Sequence, residues 1–474
     1  MANVKKTIIT NYVSLMAGDL TAKFLGFLAI VYLARKLGTV DFGKLSFAEA
    51  FIAYFLYIGV AGVDTIATRE IARDRTLLAD YLSNVLLLKV VLGLVAYLFM
   101  VVAISVTGLA GELKYLTLLY GLCLLPLALS PEWVFQGVER MAYVGLFRAL
   151  REACYLVGIA AILVYSNNLY LVPVARVSAM LIAVVILLSV IVYRMNLRFS
   201  LHINGALWKS LLRKSYPILI SQLFIVLVYS FPIVLLGLLG RTEETGYYSS
   251  VQKIIIFFFG VAGVFWSVIF PPLARMHTES KSLLAVFEGH VSKVVAVAVI
   301  PIGIIGFFLA KPIIMYIYGS EYVRSVTILR LLIWVAVLGV FNGIFVQGLI
   351  ISDREKAYAR VVGLQAVSLV ALCLVLVPST GGIGASVAWL LVETLAICMC
   401  KYLYNKVVRF EFYRYLVKPT LASLVIAFSL RYFDGVNILF VLPMCLVGYV
   451  GIMLVIKGIE ISELKLVYQS LTVR

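Results

Sequence analysis

Asn11-Tyr-Val-Ser-Leu-Met-Ala-Gly-Asp19-Leu-Thr-Ala-Lys23-Phe-Leu-Gly-Phe-Leu-Ala-Ile-Val-Tyr-Leu-Ala34 is a mostly apolar run with an aspartate and a lysine inside it. About twenty apolar residues wound as a helix cross the ~30 Å hydrocarbon core of a bilayer. An ionisable side chain within such a helix costs roughly 3 kcal/mol even on lenient insertion scales. Lys23 lies about 18 Å along the helix from Asn11, too deep to snorkel out easily. It must therefore face a wet cavity or a partner helix, and charge at that depth points to function.

The rest of the chain reads the same way. Hydrophobic residues make up 63% of the 474, charged residues 13%, and the mean hydropathy is +1.07; soluble domains carry about 25% charged residues. No polar block is long enough to fold as a separate soluble domain. Apolar runs broken by charged or turn-rich gaps predict an all-α polytopic membrane protein of about fourteen spans. They fall near 11–34, 42–63, 83–106, 113–133, 148–166, 171–193, 216–239, 246–271, 290–311, 325–351, 357–377, 382–404, 415–430 and 438–456.

Orientation follows from the retention of Lys and Arg in cytoplasmic loops: with the N-terminus inside, roughly 27 of the basic residues fall inside and about 9 outside. Both termini are thus expected in the cytoplasm of a cell-membrane protein. The first run is too long, and lacks the small-residue cleavage site, for a signal peptide, so it is read as an anchor. The bulk of the net charge of +17 is this loop bias. Lys23, Lys89, Arg176 and Lys253 lie within spans, however, and Arg148 and Arg151 stand at the mouth of the fifth. Such cations suit a cavity that attracts an anionic headgroup.

Other chemistries find little support. Cys123, Cys154, Cys373, Cys398, Cys400 and Cys445 all lie in apolar spans without metal-ligand spacing and read as small packing residues. His202, His277 and His290 are scattered, so no catalytic or metal cluster, no enzyme activity, no cofactor and no nucleic-acid partner is expected. Gly38-Thr-Val-Asp-Phe-Gly43-Lys44-Leu45 approaches the phosphate-binding loop but has Leu45 where a hydroxyl must hold magnesium, and it follows a span rather than a strand. Without ATP, transport would run on a gradient, with H⁺ or Na⁺ as the coupling ion.

The chain also repeats itself. Leu37-Gly-Thr-Val-Asp-Phe-Gly43-Lys-Leu-Ser46 after span one resembles Leu239-Gly-Arg-Thr-Glu-Glu-Thr-Gly246-Tyr-Tyr-Ser249 after span seven. Gln136-Gly137 with Glu139-Arg140 after span four resembles Gln347-Gly348 with Asp353-Arg354 after span ten. An offset of six spans preserves orientation, which implies two parallel, pseudo-symmetric six-helix lobes related about the membrane normal, with a substrate site between them. The division expected is an N-lobe over 1–193, a cytoplasmic amphipathic linker over 194–215, a C-lobe over 216–404, and two further helices with a cytoplasmic tail over 405–474. In the linker, Leu207, Trp208, Leu211 and Leu212 face away from Lys209, Arg213 and Lys214, the pattern of a helix lying on a membrane surface.

Leu33-Ala-Arg-Lys-Leu-Gly38 through Phe42-Gly43, Arg69-Glu-Ile-Ala-Arg73, Pro131-Glu-Trp133 with Phe135-Gln-Gly137, and Tyr318-Gly-Ser-Glu-Tyr322 with Leu329-Arg330 resemble the polysaccharide flippase family (Wzx, RfbX-like) of the MOP exporter superfamily. The resemblance runs from span one to span twelve. It implies fourteen spans in a V-shaped pair of lobes, a cationic central cavity, flipping of a polyprenyl-diphosphate-linked oligosaccharide to the outer leaflet, and ion coupling in some members. It also implies a basic residue at the Lys23 position.

The residue chemistry fits that substrate. A sugar diphosphate cannot cross hydrocarbon unaided, whereas Lys23, Lys253 and the Arg148/Arg151 pair would hold it by charge-assisted hydrogen bonds. Asp19 is one helical turn from Lys23, so Lys23 serves either an anion or an internal ion pair. Asp19, Glu49 and Glu393 are the candidates for ion exchange, Glu393 alternatively for a helix-to-helix hydrogen bond. Pro126, Pro217 and Pro232 are gating candidates or static kinks. Two other readings stay open: a multidrug exporter of the same superfamily, which would want acidic or aromatic walls, and a non-transporting scaffold for glycan polymerase and assembly proteins. The protein is expected to work as a monomer.

Overall fold

The computed structural model describes residues 2–166, 168–197, 203–408, 413–430 and 437–458, with side chains from Ser14 onward. Sixteen α-helices occur among the described residues, and no strand. Among the described residues ten helical stretches are long and apolar enough to cross a membrane, which makes the chain a multi-pass membrane protein. Two of them are broken by a kink at a glycine. Helix α1 (Ala2–Val60) breaks at Gly38, with φ 73° and ψ −178°, and α14 (Glu355–Tyr404) breaks at Gly381, with φ 59° and ψ −133°. Both conformations penalise any residue with a Cβ. The sequence placed gaps between spans at both positions.

The chain divides into two compact units, Met1–Ser249 and Ser250–Arg474, a boundary later than the sequence suggested. Unit one contains α1, α2 (Val63–Arg73), α3 (Leu78–Val106), α4 (Gly111–Gly121), α5 (Leu124–Leu129), α6 (Glu132–Gly137), α7 (Met141–Tyr165), α8 (Leu171–Met195), α9 (Gly205–Leu238) and the start of α10 (Thr242–Glu279). Ile66, Ile71, Leu82, Trp133, Val134 and Val144 build one core here.

Two expectations change in this unit, and the rejection of the phosphate-binding loop stands. The linker is not a separate surface helix, because residues 205–215 are the first turns of α9, capped by Asn204, whose Oδ1 accepts from the Leu207 N–H at 3.0 Å. Most of its apolar stripe faces protein: Leu211 is buried and Leu207 and Trp208 pack on the core, while Leu212 stays exposed. His202 and most of the stretch before the cap lie outside the described residues. The fourth span is three helices, α4 to α6, and Pro126 stands in the first turn of α5, where a missing N–H breaks no helical hydrogen bond. Pro217 and Pro232, by contrast, sit inside the continuous α9. The supposed phosphate loop is helix on either side of Gly38, and Lys44 is taken up by Asp41 and Glu112, each at 3.0 Å.

Unit two holds the rest of α10, α11 (Lys281–Phe308), α12 (Ala310–Ile317), α13 (Ser325–Ile351), α14, α15 (Val417–Ser429) and α16 (Ile438–Val455). The last two helices, silent in the sequence, pack on α11: Ala422, Ile426, Val441 and Cys445 bury against Ile305 and Leu309, and the Tyr449 hydroxyl donates to the Val297 carbonyl at 2.9 Å. Most of the tail beyond α16 lies outside the described residues.

The second repeated motif closes a helix in the same way in each unit. Glu139 and Asp353 both take left-handed φ, 62° and 56°. The next N–H then reaches back over six residues, Arg140 to Phe135 O at 2.8 Å and Arg354 to Leu349 O at 2.9 Å, satisfying carbonyls that the helix end would orphan.

Candidate functional site

Seven charged residues of unit one form a continuous chain across the four helices α1, α6, α7 and α8, closed between its two halves by Arg151 and Glu132 at 3.9 Å. Close packing of α1 on α7 sets it up, since a Cβ on Gly18 would stand 2.4 Å from the Gly145 Cα and one on Gly26 would touch the Glu152 carboxylate at 3.4 Å. One turn beyond Gly145, Arg148 therefore meets α1. Lys23 Nζ is 2.8 Å from Asp19, whose other oxygen takes Arg148 at 2.9 Å. Arg148 Nε donates to Glu132 of α6 at 3.0 Å, Arg151 Nε to Glu152 at 3.0 Å, and Arg176 of α8 to the second Glu152 oxygen at 2.7 Å. Arg176 also lies 4.7 Å over the Tyr155 ring.

Signs alternate along the chain, in which four cations are paired with Asp19, Glu132 and Glu152. The side chains of Lys23, Arg148, Arg151 and Arg176 each keep between 25% and 34% exposure, whereas Glu152 keeps 9%. The cations are thus presented and one carboxylate is tucked behind them. Charge-assisted bonds of this kind fix side-chain geometry, so an arriving anion finds the guanidinium groups already ordered. Glu49, exposed on the second half of α1, is close enough to Arg176 to act on it electrostatically.

Two further expected cavity cations are not members of this chain of ion pairs. Lys89 is fully buried, with Nζ 2.9 and 3.1 Å from the two Asp64 oxygens and 2.9 Å from the Ser130 carbonyl; it presents no face to a ligand, because its charge is spent inside the protein. Lys253 is half-buried on α10 within unit two. Glu393, also in unit two, is buried and accepts from Gln365 Nε2 at 2.9 Å, a bond between the two halves of α14. The sequence reading missed Glu132, Glu152 and Asp64, the carboxylates that position the cations. Glu152 carried a signal, standing one turn from Arg148 on α7, while the link from Asp19 to Arg148 spans 129 residues and had none.

A family model described as polysaccharide biosynthesis protein matches residues 8–277, more than half of the chain. The chain belongs to that family. Among curated relatives, a "Putative O-antigen transporter" of Shigella flexneri is 22% identical over 426 residues, covering 84% of this chain and 98% of the relative. Among solved structures, the lipid II flippase MurJ in an inward closed conformation aligns with a TM-score of 0.76 at 14% identity, over 94% of this chain and 98% of that one. An inward-facing multidrug resistance MATE transporter of the MOP superfamily aligns at 0.61 and 16% identity, over 83% and 95%. These likenesses establish the fold. The family match covers every residue of the charge chain.

Proposed function

We propose that this family member is a flippase that moves a polyprenyl-diphosphate-linked oligosaccharide from the cytoplasmic to the outer leaflet of the cell membrane, for assembly of a surface polysaccharide. The observation that carries the reading is the pre-ordered chain of partly exposed cations, Lys23, Arg148, Arg151 and Arg176, among the helices of a multi-pass membrane protein. A diphosphate carries more charge than the single Asp19 carboxylate, so it competes for Lys23 and Arg148 and compensates their desolvation as the head crosses. The relative named for O-antigen transport and the lipid II flippase neighbour support the same substrate class. A multidrug exporter would present the opposite polarity to its organic cations.

Both termini are placed in the cytoplasm, the working form is a monomer, and the product is handed to glycan polymerase and assembly proteins. Asp19, Glu49 and Glu393 remain the sequence's candidates for exchange of H⁺ or Na⁺, and Pro217 and Pro232 for hinge points in α9. The test is restoration of surface polysaccharide in a flippase-null strain, normalised to membrane abundance. Arg148→Ala and Lys23→Ala should each abolish it while Lys23→Arg retains much of it. Full restoration by both alanine variants would overturn the reading.

A further inference from the structure

Unit two holds a buried acid outside the charge chain. Glu288, in the second turn of α11, is 1% exposed and lies among Leu284, Val291 and Val295. One of its oxygens accepts a short hydrogen bond from the Tyr404 hydroxyl at the end of α14. The other oxygen, and the Ser292 hydroxyl one turn further along α11, are buried without a hydrogen-bond partner. Tyr404 is held in place because its ring fills the space a Cβ would occupy at Gly348 of α13.

Among the described residues no Lys, Arg or His is paired with this carboxyl. Lys281, His290 and Lys293 share its helix, and the His290 ring bonds the Val286 carbonyl. Arg354 donates to the Leu403 carbonyl at 3.5 Å. Tyr358, Cys400 and Tyr404 from α14, with Met276 from α10, complete the cluster, and the Tyr415 hydroxyl adjoins Gly289. His277 follows Met276 on α10 with its Nδ1 buried and without a hydrogen-bond partner, and neither it nor Lys281, His290, Lys293 or Arg354 forms an ion pair or hydrogen bond with Glu288 among the described residues. An isolated carboxylate in such surroundings is prohibitively costly, and the group takes up a proton instead. Two buried polar atoms one turn apart thus stand without a partner, and buried groups of that kind call for an explanation.

We propose that Glu288, with Tyr404 and Ser292, is a proton-carrying site of unit two. The carboxyl is protonated in the packed state described here, and releasing the proton requires α11 and α14 to part so that water reaches the carboxylate. Proton occupancy is thereby tied to the packing of this helix pair. The inference deepens the flippase reading by assigning H⁺ as the ion and a residue no sequence motif marked, and it rests on that reading only for what the proton drives.

Infrared difference spectroscopy of the purified full chain in lipid nanodiscs tests it without substrate. Wild type minus Glu288→Gln should contain the carbonyl band of a protonated carboxyl group near neutral pH, and Tyr404→Phe, which keeps the acid but removes its donor, should move that band to higher frequency. Carboxylate bands in its place, or a protonated band that disappears when sodium is added at fixed pH, would overturn the proposal. In cells, Glu288→Gln should lose export that wild type drives; undiminished, protonophore-sensitive export in that variant would also overturn it. Arg148→Ala should lose export yet leave the infrared difference unchanged, which separates a failure of the flippase reading from a failure of this site.

Discussion

Replacing Lys89 with methionine separates a structural cation from a substrate-binding one. The side chain is fully buried and its ammonium is shared between Asp64 and the Ser130 carbonyl, with contacts of 2.9 to 3.1 Å. Removing one partner of a buried pair typically costs 3–5 kcal/mol, because the other charge is left uncompensated. Asp64 keeps 32% side-chain exposure, so water takes up part of its charge and the cost falls at the lower end, about 3 kcal/mol. For a cooperative unit of this size each kcal/mol lowers Tm by about 2–4 °C, which gives a fall of roughly 6–12 °C. Methionine fills the volume of the lysine stem, so packing is kept. The double variant Asp64→Asn/Lys89→Met should recover most of the loss, since an apolar or neutral replacement of a whole buried pair is often tolerated. The assay is thermal unfolding of the detergent-purified protein, followed by intrinsic tryptophan fluorescence, alongside polysaccharide export. A Lys89→Met protein with wild-type Tm and no export would refute the reasoning and return Lys89 to the substrate path.

Three further outcomes are expected. Glu152→Gln strands Arg151 and Arg176 beside each other and should destabilise the protein by about 2–3 kcal/mol, less than a fully buried pair because both guanidinium groups are partly exposed; an unchanged unfolding midpoint would show that the chain of charges does not hold α7 to α8. Gly43→Ala puts a Cβ 1.9 Å from the Thr242 carbonyl, and Gly246→Ala puts one 2.0 Å from that of Thr39, so each should cost about 1–3 kcal/mol by overpacking. Gly263→Ala, where a Cβ meets nothing within 4 Å, is the control, and equal stability of all three would refute the close helix contact. Single cysteines at Asn168 and Thr242 should label with an impermeant thiol reagent in intact cells while one at Ser210 stays unlabelled; the opposite pattern would invert the topology.

Hydropathy alone made the chain helical and membrane-spanning, because a backbone in lipid must satisfy its own hydrogen bonds and a helix does so within each segment. Local signals also carried the breaks at Gly38 and Gly381 and the paired turns at Glu139 and Asp353, since chain direction there is decided by a few adjacent residues. Motif spacing was enough to name the family. Which charges face each other was a different matter. Asp19 meets Arg148, and Lys89 meets Asp64, only because glycine-lined helices cross where they do, and no periodicity within one span encodes the rotation of its neighbour. The same limit hid Glu288: a glutamate two turns into an apolar helix reads as one more charge near a membrane end, and only the packed structure brings Tyr404 to it from 116 residues away, with no ion pair among the described residues. Sequence sets what each helix is made of, because burial in lipid acts on segments one at a time; the tertiary structure sets which ionisable groups are compensated, because compensation acts over a few ångströms between segments far apart in the chain.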